Sequence, residues 1–285
     1  MATIKRVGVV GSGIMGAGIA EVAARAGHEV IVRSRQQATA EGMLATLDKS
    51  LSRQVDKGKL DAKEKKTILS RVVPTSVIDD LADCDLVIES VVEDLETKKH
   101  LFRELDHHCR PDAILATNTS TLPVVEMAVE VNHPERVCGV HFFNPAPMMS
   151  LVEIIRPLTA SDETTEAVKS FVVACGKEGV EVTDRAGFIV NALLFPYLNN
   201  AIRMHEQGTA SMADIDTAMK GGCNFPMGPF ALLDLVGLDT SLAILEALYA
   251  EFRDPNYAPV PTLKRMVAAG RLGRKSGHGF YDYRK

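Results

Sequence analysis

The feature that most restricts the fold lies near the start of the chain. Residues 4–10 form an apolar run rich in β-branched side chains, followed at once by GSGIMG at 11–16 and by small residues with helical character at 17–26. A strand that turns on glycine directly into a helix is the first half of a parallel β–α–β unit, and residues 29–33 (EVIVR) supply the returning strand. Gly11 permits the tight turn, Gly13 lets backbone amides approach a pyrophosphate, and Gly16 lets the helix lie close on the strand. The helix N-terminus then attracts the phosphates, so the turn, with Ile14 and Met15 inside it, is expected to bind a dinucleotide. The plainer alternative is a structural glycine turn.

An acidic residue normally ends the second strand of such a unit and binds the ribose hydroxyls of NAD. Here that strand ends Val32, Arg33, Ser34, Arg35. The carboxylate that would repel a ribose phosphate is absent, and guanidinium groups are present to hold one, which favours NADP(H) over NAD(H). Against this, Arg33 and Arg35 are read as solvated surface cations beside a site that takes NAD.

Composition excludes several classes. With 46% hydrophobic residues, 285 residues can bury a large core and divide into two domains. The net charge of −5, the lack of Trp and the absence of a basic stripe give nucleic-acid binding no support. No apolar run approaches a membrane span and no signal-like region precedes the first strand, so a cytoplasmic protein is expected. Cys84, Cys109, Cys138, Cys175 and Cys223 lack metal-ligand spacing and read as reduced, mostly buried residues.

Farther along, residues 37–70 have helical period with a break at Gly58, which predicts a helical hairpin inserted after the second strand. Strands are expected at 85–90, 113–117, 136–142, 150–157 and 179–183, with helices at 95–108 and 162–175 between them. That alternation predicts a Rossmann-type, doubly wound, mostly parallel α/β sheet over residues 1–184. From 185 to 285 the periodicity is helical almost throughout, predicting an all-α domain whose apolar content suits a subunit interface.

One histidine, His141, stands between apolar residues in CGVHFFNPAPMMSLVE at 138–153, with Glu153 twelve positions on. A histidine whose second ring nitrogen is held by a carboxylate can take a proton from a substrate hydroxyl and keep the imidazolium stable, as dehydrogenation of an alcohol requires. Without context, a histidine beside Phe142 and Phe143 is a common core residue, and Glu153 alone can be a surface carboxylate.

Together these motifs make the chain resemble the short-chain 3-hydroxyacyl-CoA dehydrogenase family, and its bacterial 3-hydroxybutyryl-CoA branch most of all. The resemblance covers nearly the whole chain: GSGIMGAGIA at 11–20, VIESVVEDLETK at 87–98, ATNTSTLP at 116–123, GVHFFNPAPMMSLVEI at 139–154, DRAGFIVNALL at 184–194, PMGPFALLDLVGLD at 226–239 and GRKSGHGFYDY at 273–283. The chain departs from many relatives in having Ser34 where they have aspartate.

The resemblance implies a reversible hydride transfer between NAD(P) and carbon 3 of acetoacetyl-CoA or 3-hydroxybutyryl-CoA. It makes His141 the general base, Glu153 its partner, and Ser120 and Asn191 the groups at the reacting oxygen. It implies cofactor contacts at Glu93, Lys98, Asn144 and Lys275, CoA contacts at Ser50 and Lys57 on the inserted hairpin, and a homodimer through the C-terminal helices. The duller readings are Ser120 as a cap for a helix at 122–128, Asn191 as a mid-helix polar residue and Lys57 as part of a solvated charge run. Rival functions are a β-hydroxyacid dehydrogenase of another family, which transfers the proton with a lysine that GFIVNALL lacks, and a non-catalytic, crystallin-like cofactor-binding relative.

Overall fold

A computed structural model of the chain describes residues 4–284. In it β1 (Arg6–Val10) is buried from Val7 onward and leads through the glycine turn into α1 (Ile14–Arg25). The buried face of α1 is built from Gly16, Ala17, Ile19, Ala20, Ala23 and Ala24, small enough for the helix axis to approach the sheet. β2 (Glu29–Arg33) then pairs in parallel with β1, Val32 opposite Val9.

The hairpin follows as α2 (Gln37–Asp56) and α3 (Ala62–Ser70). Gly58 separates them with a left-handed φ of +64°, and Asp61 starts α3 by accepting a hydrogen bond from the Lys63 amide at 2.6 Å. After it comes β3 (Val72–Thr75), a strand that sequence patterning leaves unassigned. Its four residues include Pro74, which reads as a strand breaker; at the sheet edge, where β3 lies, proline is tolerated.

The unit continues with β4 (Leu86–Glu89), α4 (Leu95–His108), β5 (Ile114–Thr117), α5 (Val124–Ala128), β6 (Val137–Phe142), β7 (Leu151–Arg156), α6 (Asp162–Ala174) and β8 (Glu178–Thr183). All eight strands share one sheet in the order β3-β2-β1-β4-β5-β6-β7-β8. β1 to β6 are parallel, β7 is antiparallel to β6, and β8 is parallel to β7. Only residues 143–150 join β6 to β7, too few for the crossover that parallel pairing needs, so β7 must run back along β6. The strand order reverses between β1 and β4, and a doubly wound sheet opens its ligand crevice at the carboxyl ends of such a pair.

The chain divides into two units, one ending at Asp184 and the other beginning at Arg185. The second contains α7 (Val190–Glu206), α8 (Met212–Cys223), α9 (Pro229–Val236), α10 (Leu238–Phe252) and α11 (Pro261–Ala268) around Leu198, Ile202, Phe230, Leu233, Leu245 and Leu248. Periodicity alone would start α7 at Phe188. The helix begins later because Gly187 and Phe188 have left-handed φ values of 73° and 50°, which no α-helical residue adopts. No helix among the described residues is long and apolar enough to cross a membrane.

Candidate active site

The glycine turn has room for a phosphate group. A Cβ on Gly11 would stand 2.1 Å from the Ser90 carbonyl oxygen, and one on Gly16 would stand 2.2 Å from the Gly11 carbonyl oxygen, so both close approaches require glycine. At Gly13 no neighbour lies within 4 Å of such a Cβ, which leaves open space over the start of α1. Gly13 is the N-cap of α1, no side chain caps this end, and the first turn carries no acid. Unsatisfied amides facing open space at a helix N-terminus fit a dinucleotide pyrophosphate. Ile14 is exposed, whereas Met15 packs against the core.

At the end of β2 the two candidate residues part company. Ser34 is buried and its hydroxyl is bonded to Thr39, whose own hydroxyl donates to the Gln36 carbonyl at 2.8 Å. Ser34 therefore shapes the turn into α2, while Arg35 stands exposed beside it. Arg33 is half-buried and its Nε has no partner.

β6 and β7 bring the histidine and its carboxylate together. His141 lies directly opposite Glu153 in the antiparallel register, so residues twelve positions apart in the chain are cross-strand neighbours. His141 Nδ1 is 2.7 Å from Glu153 Oε2, and Nε2 is 3.1 Å from the Ser120 hydroxyl. An ionised carboxylate can only accept, which places the proton on Nδ1 and leaves Nε2 as the basic nitrogen facing Ser120. Both His141 and Glu153 are buried, so the pair is shielded from bulk water.

The Ser120 loop is itself held. Glu93 Oε1 accepts the Thr119 hydroxyl at 2.6 Å and the Ser120 amide at 2.8 Å, and its Oε2 lies 3.3 Å from Lys98 Nζ. Lys98 is only 1% exposed and donates to both oxygens of Glu89 at 2.7 and 2.8 Å. Glu89, at the end of β4, also accepts the Thr117 hydroxyl at 2.7 Å. Sequence reasoning missed Glu89, although a carboxylate closing the apolar strand LVIE was a visible signal. Ser120 does not cap α5: the N-cap is Pro123, and the α5 amides of Val124 and Val125 donate to Asp184 at 2.9 and 2.7 Å. Burial pushes the Asp184 pKa above the usual carboxylate range, and these two amides only partly oppose it.

A cleft of about 450 Å³ runs between α1, α2 and the segment after β6. Ser50 and Lys57 line it, as does Asn144, together with Arg25, Arg53 and Lys59, which sequence reasoning did not single out. Its apolar lining comes from Ile14, Ala17, Leu47, Pro145, Ala146 and Met148. Lys177 pins the segment after β6 by donating to the carbonyls of Ala146 at 2.9 Å, Pro147 at 3.3 Å and Met149 at 2.7 Å.

The remaining two candidates belong to the second unit. Asn191 is buried in the first turn of α7, and Lys275 Nζ is paired with Asp239 at 2.7 Å. Among the described residues no group of three or more His, Cys, Asp or Glu side chains is placed to hold a metal ion.

Comparison with known proteins follows the same division of the chain. The family pattern described as 3-hydroxyacyl-CoA dehydrogenase, NAD binding domain, matches residues 6–185, and that of the C-terminal domain matches residues 187–283. The chain is 47% identical over 280 residues to a 3-hydroxybutyryl-CoA dehydrogenase of Clostridioides difficile, covering 98% of this chain and 100% of that one. The crystal structure of M. tuberculosis FadB2 matches with a TM-score of 0.97 at 47% identity, over 99% of this chain and 100% of that one. That of (S)-3-hydroxybutyryl-CoA dehydrogenase PaaH1 from Ralstonia eutropha matches with a TM-score of 0.96 at 42% identity, over the same shares. With both halves of the family pattern matched in order, and near half of its residues shared with full-length relatives, the chain belongs to the 3-hydroxyacyl-CoA dehydrogenase family.

Proposed function

We propose that the protein interconverts 3-hydroxybutyryl-CoA and acetoacetyl-CoA, with His141 as general base and Glu153 as its partner. The observation that carries the proton chemistry is the Glu153–His141–Ser120 arrangement, at 2.7 and 3.1 Å. In oxidation Nε2 takes the hydroxyl proton while Glu153 fixes the tautomer and stabilises the imidazolium; in reduction the same nitrogen returns the proton to the ketone oxygen. Ser120 and Asn191 are read as the groups that orient the reacting oxygen and the thioester. The nicotinamide cofactor supplies the hydride acceptor or donor when bound.

The cofactor is held by the Gly11–Gly13–Gly16 turn, with Glu93, Lys98, Asn144 and Lys275 read as further cofactor residues. Lys98 then acts from beneath the site, since its ammonium is taken up by Glu89 and Glu93. NADP(H) is favoured over NAD(H) because Ser34 stands where many relatives have the ribose-binding aspartate and the exposed Arg35 follows it. Ser50 and Lys57 are read as CoA contacts, supported by a cleft whose lining includes both cations and apolar side chains. The acyl-CoA phosphates suit the first and the pantetheine arm the second. A homodimer through the C-terminal helices, working in the cytoplasm, is supported by exposed Leu193, Phe225 and Leu235 in the second unit and by five free cysteines.

The test is the initial rate of acetoacetyl-CoA reduction by the purified protein with NADPH and with NADH. Faster use of NADPH is expected, and Arg35→Asp should reverse the preference by about tenfold or more, the worth of a charge-assisted phosphate contact. Equal use of the two by the wild type would remove the NADP assignment and leave the dehydrogenase. No turnover with either would overturn the activity.

A further inference from the structure

A cleft that takes a polyanion should not contain an acid, yet Glu21 of α1 lines this one. It is 2% exposed. Its Oε1 accepts from Gln54 Nε2 at 2.9 Å and from Arg25 Nε at 3.2 Å, and its Oε2 accepts the Ser50 hydroxyl at 2.9 Å. Arg25 also donates to the Gln54 side-chain oxygen. Both oxygens are thus satisfied, and all three donors line the cleft.

Packing does not require this carboxylate. Burying it has a desolvation cost, and an apolar side chain of similar size would join α1 to α2 at least as well. What a carboxylate does there, and an apolar residue cannot, is fix three polar side chains from two helices in one arrangement. Side chains already ordered lose less entropy when a ligand arrives. Arg25 has more guanidinium donors than its bonds to Glu21 and Gln54 use, so anchoring it leaves donors free for an anion.

We propose that Glu21 is a positioning residue of the acyl-CoA cleft, holding Ser50, Gln54 and Arg25 preset for the CoA phosphates beside Arg53, Lys57 and Lys59. This rests on reading the cleft as the acyl-CoA site. Glu21 touches none of the reacting atoms; its effect falls on substrate affinity alone.

The experiment compares acetoacetyl-CoA with the N-acetylcysteamine thioester of acetoacetate, which carries the same reacting group without the nucleotide. In the full-length enzyme Glu21→Met should raise KM for acetoacetyl-CoA about tenfold, through the lost preordering of three side chains, and leave kcat unchanged. KM for the short thioester should stay within about twofold. Glu21→Gln should restore most of the affinity, because its carbonyl still accepts from Gln54 and Arg25 while its amide faces Ser50. Arg25→Met, at an exposed position, should give the same signature through the lost phosphate contact, and Glu21→Leu replaces Glu21→Met if that variant does not fold. An equal rise in KM for both thioesters, or an unchanged KM for acetoacetyl-CoA, would overturn the positioning role. If the wild type shows no preference for the CoA thioester over the short one, the reading of the cleft itself falls.

Discussion

The first unit buries Glu89, Lys98, His141 and Glu153 with one another and with the Ser120 loop; the second buries Asp216 and Asp234 as deeply, with mostly backbone for company. Asp216 accepts the Phe230 and Ala231 amides at 2.8 and 3.1 Å, at the start of α9, and the Tyr281 hydroxyl at 3.0 Å. Asp234 accepts the Phe280 and Tyr281 amides at 2.8 and 2.9 Å, tying down the end of the chain. Each sits against a glycine: a Cβ on Gly228 would stand 2.3 Å from the Asp216 carboxyl carbon, and one on Gly279 would stand 1.9 Å from Asp234 Oδ1. Burial of a charge therefore does not by itself mark chemistry. A carboxylate engaged by backbone amides is a fastener, whereas Glu153, bonded to His141, orients a side chain able to exchange a proton.

The sharpest way to break this contrast is His141→Gln. It should lower kcat by about 10² to 10⁴ while cofactor affinity and thermal midpoint stay near wild type. Undiminished turnover would make His141 a structural residue like Asp216. The converse substitution, Asp216→Asn, presents an amide donor to backbone donors and should cost about 3 kcal/mol of stability. Calorimetry should show the lowered transition with kcat per folded molecule unchanged; a loss of turnover at full stability would contradict the assignment.

A smaller effect tests the contrast within one sheet, at the amino ends of the central strands β1 and β4. Asp85 accepts the amides of Lys5 and Arg6 at 2.6 and 2.8 Å and pairs with Arg110. Burial alone would raise its pKa, but these two amides and the guanidinium outweigh that and hold it below the usual carboxylate range. A carboxyl whose folded-state pKa is depressed stabilises the fold fully above its unfolded value, and that stabilisation is lost as pH falls through the folded value. Asp85→Asn should therefore cost about 1 kcal/mol near neutrality and flatten the acid limb of stability below about pH 4, read as urea midpoint against pH. An unchanged acid limb would show that Asp85 is not a fastener of this kind.

The alternating architecture was legible because the strand runs and helical periods are long, and α4 falls at the bounds that its pattern gave. β3 was not, since four residues with a proline carry almost no period. His141 and Glu153 could be named from sequence, but their spacing acquires a geometric reason only from the β6–β7 register. Glu21 was beyond reach: it falls in a small-residue helix, and its partners Ser50 and Gln54 lie 29 and 33 positions away on another helix. Lys98 was named as a cofactor residue, while its enclosure by Glu89 and Glu93 follows from how β4 turns into α4.

The place where β7 runs back along β6 has a consequence for how such an enzyme can diversify. Register in a sheet is held by the pairing and the alternation of faces, and a slip of one residue would send His141 and Glu153 to opposite sides. The segment 143–150 takes no part in that pairing, yet residues 144–148 form a wall of the cleft. Insertions and deletions there can reshape the cleft without moving the His141–Glu153 pair, so under the proposed function substrate range and reaction can evolve separately within one hairpin.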